Sequence, residues 1–226
     1  MKLIYSFVKR FFDIFLCASA LLVLSPFFLI AAIGVKVSSP GPVFYRSDRV
    51  GKNGVPFHFY KFRSMHETEN NKHMCVADAE RLFPFGKFIR KTKIDELPQL
   101  LNVIKGDMSI VGPRPMTMAS KMYTGEFERV RAVRPGLTSA ASLYDYIVGD
   151  TYTDNDAYKR EVYPVKQKLE LYYVDNISFT YDVSLIFRTI YLIVAVALGK
   201  KNFKEIPELA KIRASENKQE VVLNEL

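Results

Sequence analysis

The longest apolar run of the chain lies near its start. No charged residue occurs between Asp13 and Lys36, and residues 14–35 form a 22-residue stretch, which as a helix can cross about 30 Å of hydrocarbon. Pro26 has no N–H to offer its own helix, and Ser25 can donate its hydroxyl to the carbonyl left free. We therefore expect a helix kinked at Ser25 and Pro26.

Basic residues flank this run on both sides. Those before it are Lys2, Lys9 and Arg10, and those after it are Lys36, Arg46, Arg49 and Lys52. The positive-inside tendency pulls both ends to the cytoplasm. A re-entrant hairpin satisfies both flanks and a kinked spanning helix satisfies one, and the residues alone leave both open.

The pattern after this run predicts short elements. Residues 3–13 read as an interfacial helix, and residues 43–45 and 57–60 read as strands of a β-hairpin with a turn at 51–54. We expect a mobile polar loop at 67–78 and a helix at 86–91.

A second helix is predicted to start at Asp95 as its cap and to end at Gly106, with Pro98 in its first turn. Further on, residues 157–173 form a charged helix, and residues 183–198 an apolar helix that Arg188 interrupts, which favours an interfacial position.

These elements predict an α/β fold that is mostly helical. The apolar N-terminal segment, either a hairpin or a span, occupies residues 1–38, and residues 39–206 follow with a small β-hairpin and interfacial amphipathic helices. The polar segment 207–226 is predicted to be a flexible tail.

Composition and charge narrow the function. Hydrophobic residues make up 49% and charged residues 25% of the 226 residues, which excludes a disordered chain and a polytopic membrane protein. The net charge of +8 lies in residues 1–114, which hold 17 Lys and Arg against 9 Asp and Glu. Such an excess suits anionic lipids and phosphorylated substrates. No nucleic-acid-binding signature occurs, so we expect no nucleic acid partner. Two cysteines favour a reducing compartment.

Asp95 and Glu96 are the first candidates for chemistry. Neighbours on a helix point about 100° apart, so the two carboxylates would hold different roles. One could attack phosphorus, and the other could handle a proton or orient a group. The alternative is that both simply suit the positive end of a helix.

Basic residues beside short turns form a second candidate group. Phosphate ligands are commonly Arg and Lys, and a diphosphate also needs a metal ion. The alternative is that these charges are solvated. The candidates are Lys61, Arg63, Arg90, Arg114 and Arg134. The histidines, at 58, 66 and 73, lack the spacing of a metal site.

A series of motifs resembles the bacterial sugar transferases, also called monotopic phosphoglycosyl transferases, from about residue 5 to residue 198. The motifs are Lys9-Arg10-x-x-Asp13, Ser25-Pro26, Ser39-Pro40-Gly41-Pro42-Val43-Phe44, Arg49-Val50-Gly51, Tyr60-Lys61-Phe62-Arg63-Ser64-Met65, Asp95-Glu96-Leu97-Pro98-Gln99-Leu100, Gly106-Asp107-Met108-Ser109, Val111-Gly112-Pro113-Arg114-Pro115 and Arg134-Pro135-Gly136. Each motif alone is weak, and their order makes the resemblance specific.

The resemblance implies a re-entrant membrane helix at 1–38 and a compact α/β catalytic domain at 39–206 on the cytoplasmic face of the bacterial inner membrane. It also implies a ping-pong reaction. Asp95 would attack the β-phosphate of a UDP-sugar, release UMP and pass the sugar phosphate to polyprenyl phosphate. Glu96 would handle a proton or position Asp95, and Mg²⁺, with Asp95 as a ligand, would neutralise the diphosphate. Lys61, Arg63, Arg90, Arg114 and Arg134 would hold phosphates. Asp182 matches another acidic position of the family whose role the resemblance does not define.

One segment departs from the family pattern. Many members continue after Arg-Pro-Gly with Gly-Leu-Ala-Gln-Val-Asn-Gly, whereas residues 138–146 differ here, so the sugar is not identified. The chain could instead be a non-catalytic basic module that binds anionic lipids. The sequence also leaves open whether it forms a homodimer.

Overall fold

The N-terminal helix α1, Lys2–Ser38, is one continuous element. The computed structural model describes residues 2–66, 79–118 and 124–224, so the loop predicted at 67–78 lies outside the described residues. Helix α1 joins the predicted interfacial helix and the apolar run. Pro26 lies inside it, and the Ser25 hydroxyl donates to the Leu22 carbonyl at 2.8 Å, which confirms that predicted contact.

The first half of α1 is attached to the rest of the molecule by polar side chains. Arg10 donates to the carbonyls of Val103 and Ile104, and Asp13 accepts from the backbone N–H of Ile110 at 3.0 Å. Lys9 forms an ion pair with Asp182. The Lys-Arg-x-x-Asp motif therefore docks the helix.

The second half of α1 packs through small and apolar residues. Ala31 and Val35 are buried in a cluster with Phe62 and Phe83. A side chain at Gly34 would collide with the ring of Phe85 at 2.3 Å. Both halves thus contact the same domain, while the path of α1 through a bilayer stays a prediction.

The predicted β-hairpin is confirmed. Strand β1, Phe44–Val50, pairs antiparallel with β2, Pro56–Phe62, and Phe44 lies opposite Phe62. The turn between them holds Asn53 and Gly54 at positive φ, a conformation that favours these residue types.

Two helices follow the hairpin. Helix α2, Pro84–Lys91, covers the helix predicted at 86–91, and α3, Gln99–Lys105, ends at Gly106 with φ of 100°, as predicted. The prediction that Asp95 caps a helix is wrong. Pro98 precedes α3, and Asp95 lies inside a separate 3₁₀ turn, Ile94–Glu96.

A short parallel pair of strands was not predicted. Strand β3, Ser109–Val111, pairs with β4, Gly136–Thr138. A Cβ at Gly136 would lie 2.1 Å from the Gly112 nitrogen, so the two backbones approach as only glycine allows.

Four helices complete the fold. Their bounds are α4 Ala140–Ile147, α5 Asn155–Asp175, α6 Phe179–Ala197 and α7 Pro207–Asn224. The charged and the apolar helices predicted at 157–173 and 183–198 correspond to α5 and α6. The main core lies between these helices and contains Leu169, Tyr173, Leu185 and Leu192.

Segment 207–226 was predicted to be a flexible tail, and the structure differs. Residues 207–224 are helical, Leu209 is buried in the main core, and Glu208 accepts two hydrogen bonds from Arg188, at 2.6 and 3.0 Å. The polar composition hid this contact because, among residues 207–217, only Glu208 and Leu209 are buried.

Two helices of the described residues, α1 and α6, are long and apolar enough to cross a membrane. Helix α6 buries Leu185 and Leu192 against the core, whereas Phe187, Ile190 and Tyr191 are exposed. An amphipathic surface of this kind agrees with the predicted interfacial position, which stays a prediction.

The close approach of Gly112 and Gly136 generates a stability prediction. We expect Gly136→Ala to lower the free energy of unfolding by about 1–3 kcal/mol, because its methyl group would force two strands apart. Thermal unfolding in detergent measures this change. A melting temperature equal to that of the wild type would show that the contact is not strained by the methyl group.

Candidate active site

Asp95 lies in a buried position at the centre of the site. Its side chain is 4% exposed, and its Oδ2 lies 3.9 Å from the Lys61 ammonium. Its Oδ1 is buried and has no hydrogen-bond partner among the described residues. Burial raises the pKa of Asp95, although Lys61 opposes this increase. Asp95 Oδ1 is therefore a buried acceptor whose hydrogen-bonding capacity a bound ion or ligand would satisfy.

Glu96 lies next to Asp95 and has the opposite electrostatic environment. The Arg114 guanidinium donates to both of its oxygens, at 2.8 and 2.9 Å, and Lys61 donates at 3.0 Å. Burial alone would raise the pKa of Glu96, but Arg114 and Lys61 outweigh it and hold this pKa well below its usual range. Glu96 is thus a permanent carboxylate whose two oxygens are occupied.

Strand β2 and helix α3 together position Lys61. The Asn102 amide donates to the His58 carbonyl at 2.6 Å and accepts from the backbone N–H of Tyr60 at 3.2 Å. These two bonds attach α3 to β2 immediately before Lys61. Burial lowers the pKa of Lys61, and Glu96 opposes that decrease.

Arg114 is positioned by a buried carboxylate behind it. Its backbone N–H donates to Glu170 Oε1 at 2.9 Å, and the Ser139 hydroxyl donates to the same oxygen at 3.1 Å. Ser139 also caps α4 by accepting from the Ser142 N–H. Segment 138–146, where the chain departs from the family pattern, therefore supports Arg114 from behind.

The predicted site residues fall into two groups. Lys61 and Arg114 gather around Asp95 and Glu96, and the charge of Arg90 acts on Asp95. The remaining predicted residues have other partners. The Arg63 guanidinium donates to the carbonyls of Ser39 and Pro40, Arg134 to the carbonyl of Gly106, and Asp182 accepts from Tyr5, Lys9 and Tyr173.

Three residues of the site escaped the sequence analysis as site residues. Phe59 is buried between cationic groups, Arg49 lies over its ring, and Glu170 is fully buried beneath Arg114. Arg49 carried a signal, since it belongs to the Arg-Val-Gly motif. Glu170 carried none, because a glutamate within a charged helix normally faces water.

Among the described residues, no three His, Cys, Asp or Glu side chains converge into a metal site. Both Glu96 oxygens are already bonded, whereas the neighbouring Asp95 Oδ1 has no hydrogen-bond partner among the described residues and is available as a ligand. Mg²⁺ commonly takes one or two carboxylates and completes its shell with substrate phosphates and water. Asp95 fits that pattern with a single protein oxygen.

The fold and the site together define a class. The protein has an apolar N-terminal helix and a buried carboxylate surrounded by Lys and Arg, the side chains that commonly bind phosphate. The family model for "Bacterial sugar transferase" matches residues 4–196. The chain therefore belongs to the bacterial sugar transferase family.

Individual relatives carry informative names. The chain is 38% identical over 83% of its length to a UDP-N-acetylgalactosamine-undecaprenyl-phosphate N-acetylgalactosaminephosphotransferase of Aeromonas hydrophila. It is 38% identical over 81% of its length to the UDP-glucose:undecaprenyl-phosphate glucose-1-phosphate transferase of Escherichia coli, and 40% identical over 81% to an exopolysaccharide production protein, PSS, of Rhizobium leguminosarum. It spans 44%, 39% and 93% of these proteins.

The buried Glu170 generates a pH prediction. Burial raises its pKa from 4.5 to about 7, so between these values the folded protein binds the proton more tightly than the unfolded chain. The contribution of Glu170 to the free energy of unfolding is therefore fully present below pH 4.5. It is lost as the pH rises through 7, a loss of about 3 kcal/mol.

Glu170→Gln removes this titration and keeps an oxygen that accepts from Arg114. We expect its melting temperature to fall less than that of the wild type between pH 5 and pH 8. The exposed Glu128→Gln is the control and should follow the wild type. Parallel curves for all three proteins would contradict the assignment.

Proposed function

We propose that this chain transfers a sugar 1-phosphate from a UDP-sugar to polyprenyl phosphate, such as undecaprenyl phosphate. The observation that carries the proposal is Asp95, a buried carboxylate whose Oδ1 has no hydrogen-bond partner among the described residues and whose Oδ2 lies 3.9 Å from the Lys61 ammonium. The relatives named as undecaprenyl-phosphate sugar phosphotransferases support the two substrates. The reaction would begin the membrane assembly of a polysaccharide or glycoconjugate.

The first step forms a covalent intermediate. An oxygen of Asp95 attacks the β-phosphorus of the UDP-sugar, an Asp95–phosphate bond forms, and the bond to the bridging oxygen breaks. UMP leaves with that electron pair. Lys61 and Arg114 stabilise the negative charge that is shared among the phosphate oxygens.

The second step regenerates the carboxylate. An oxygen of polyprenyl phosphate attacks the same phosphorus, and the bond to Asp95 breaks. The product is polyprenyl diphosphate sugar. A phosphate monoester has its second pKa near 6, so the attacking oxygen is mostly ionised at neutral pH and requires no strong base.

Glu96 acts in this scheme as a positioning residue. A carboxylate with a low pKa and two occupied oxygens is a poor proton acceptor. It holds Lys61 and Arg114 on the side of Asp95, which pre-organises both cations. Of the two roles considered for Glu96, the site supports orientation over proton transfer.

Mg²⁺ is proposed as the cofactor. Asp95 Oδ1 would be its ligand from the protein, and the bound ion would neutralise the diphosphate. Arg90 and Lys93 add positive charge that lowers the pKa of Asp95 against the effect of burial. These cations favour the ionised form of Asp95, against the effect of burial.

The proposed location is the cytoplasmic face of the bacterial inner membrane. Helix α1 exposes large apolar side chains on both sides of Pro26, among them Phe11, Leu22, Phe27 and Leu29. We propose that α1 enters and leaves on the same face, because both of its halves pack on the same domain. This arrangement places Asp95 near a lipid-linked acceptor.

The nucleophile assignment predicts the behaviour of Asp95→Asn. We expect UMP release to fall by at least about 1,000-fold, since an amide cannot form the intermediate. Incubation of the wild type with a donor alone should add a sugar phosphate to Asp95, visible by mass spectrometry of the intact protein.

The exposed Asp48→Asn is the matched control and should keep wild-type UMP release. Full activity of Asp95→Asn would refute the nucleophile. If the wild type binds anionic vesicles but turns over no member of a panel of UDP-sugars, the chain is instead a lipid-binding module.

The topology of α1 predicts where its start is accessible. With Cys17 and Cys75 replaced by alanine, a cysteine at position 3 should react with an impermeant maleimide only after the inner membrane is opened. A cysteine at position 53, in the turn between strands β1 and β2, is the cytoplasmic reference. Labelling of position 3 from the periplasm would show that α1 spans the membrane, and it would refute the re-entrant arrangement of α1.

A further inference from the structure

A third cation lies on the ring that Lys61 and Arg114 share. Arg49 lies near the end of β1, where the next residue, Val50, donates its N–H to the Met116 carbonyl at 2.9 Å. The Arg49 guanidinium carbon lies 5.2 Å from the centroid of the Phe59 ring. The Lys61 ammonium and the Arg114 guanidinium carbon lie 5.5 and 5.9 Å from the same centroid.

The charges in this cluster do not balance. Glu96 pairs with both Lys61 and Arg114. Arg49 has only neutral acceptors, the Ser47 hydroxyl at 3.2 Å and the Pro115 carbonyl at 3.5 Å. No carboxylate forms an ion pair with it within residues 2–66, 79–118 and 124–224.

Without a bound anion, this excess of positive charge destabilises the charged form of Arg49. Partial burial disfavours a cation, and the nearby charge of Arg114 adds repulsion, so both lower the pKa of Arg49. An anion bound between Arg49 and Arg114 would offset both effects, because it attracts both guanidinium groups. Arginine suits that task because its planar fork donates two parallel hydrogen bonds to phosphate oxygens.

The order of the charged groups in the site indicates which phosphate of the UDP-sugar donor would lie next to Arg49. Lys61 lies beside Asp95, Glu96 joins Lys61 to Arg114, and Arg49 contacts the same Phe59 ring, close enough to Arg114 for the two charges to repel. A β-phosphate at Asp95 therefore meets Lys61 first. The second phosphate of the donor then extends toward Arg114 and Arg49.

We propose that Arg49 binds the α-phosphate of the nucleotide diphosphate, the phosphate that leaves as UMP. This inference rests on the proposed function and assigns the leaving nucleotide to one further side chain. Arg49 would hold the nucleotide while Asp95 attacks, and it would stabilise the charge that develops on departing UMP.

Nucleotide binding to the full chain in detergent tests the proposal. We expect Arg49→Gln to weaken UMP binding by about 10- to 100-fold, the range for loss of hydrogen bonds to a charged group. The ratio of UMP to uridine affinity should fall by the same factor, because uridine has no phosphate. Arg46→Gln is the matched control, since Arg46 lies on the same strand over Tyr60, and should bind both as the wild type does.

Arg49→Lys separates recognition from folding. Lysine keeps the positive charge but cannot donate two parallel hydrogen bonds. The UMP affinity of Arg49→Lys should therefore lie between those of the wild type and Arg49→Gln, and its melting temperature should be unchanged. Arg49 would be excluded as a phosphate ligand if both variants bound UMP like the wild type. Equal losses for UMP and uridine would likewise refute it, since they indicate a structural role.

The two proposals fail separately. If Asp95→Asn still forms a covalent adduct while Arg49→Gln loses UMP, the nucleophile is wrong and the phosphate site stands. If the wild type forms the adduct at Asp95 and Arg49→Gln keeps its UMP affinity, the transferase reaction stands and Arg49 is not part of it.

Discussion

The active site depends on one carboxylate that two cations share. Glu96 receives both arms of Arg114 and the ammonium of Lys61, and these three residues come from a 3₁₀ turn, a proline-flanked segment and a β-strand. A partly buried ion pair contributes little net stability unless its geometry is good and its remaining groups are bonded. Here both Glu96 oxygens are bonded, so the ion pair organises the site. Within the described residues, Oδ1 of the neighbouring Asp95 has no hydrogen-bond partner.

The second constraint is the attachment of α1 to this site. Its polar side chains bind the end of α3, the start of β3 and helix α6, and its apolar second half packs beside α2 and β2. The elements that hold α1 are therefore the elements that carry or support Asp95 and Lys61. In the proposed membrane arrangement, an apolar helix fixed in this way would set the height of the site relative to lipid. Asp182, whose role the family resemblance did not define, takes part in this attachment through Lys9 and Tyr173.

Local sequence signals predicted local structure well. The hairpin, the left-handed end of α3 at Gly106 and the hydroxyl contact beside Pro26 all depend on a few adjacent residues. Predictions that required distant contacts failed. Asp95 resembled a helix cap but lies in a separate turn, and the polar α7 is held by Arg188 and the core. The parallel pair of β3 and β4 joins segments far apart in the chain, and each strand has only three residues.

The sequence by itself determined the family, the apolar N-terminal helix with its internal proline, the basic first half and the acidic pair at 95 and 96. These features depend on composition, order and spacing, which a linear chain displays in full. Only the tertiary structure decided which basic residues meet the acidic pair. Lys61, Arg63 and Arg134 look alike as charges beside turns, yet Lys61 faces Glu96 while the guanidinium groups of Arg63 and Arg134 donate to backbone carbonyls. The reason is that the charges of this site lie on segments that are far apart in the chain. The packing of α3 on β2 and of Glu170 beneath Arg114 sets the distances between those charges.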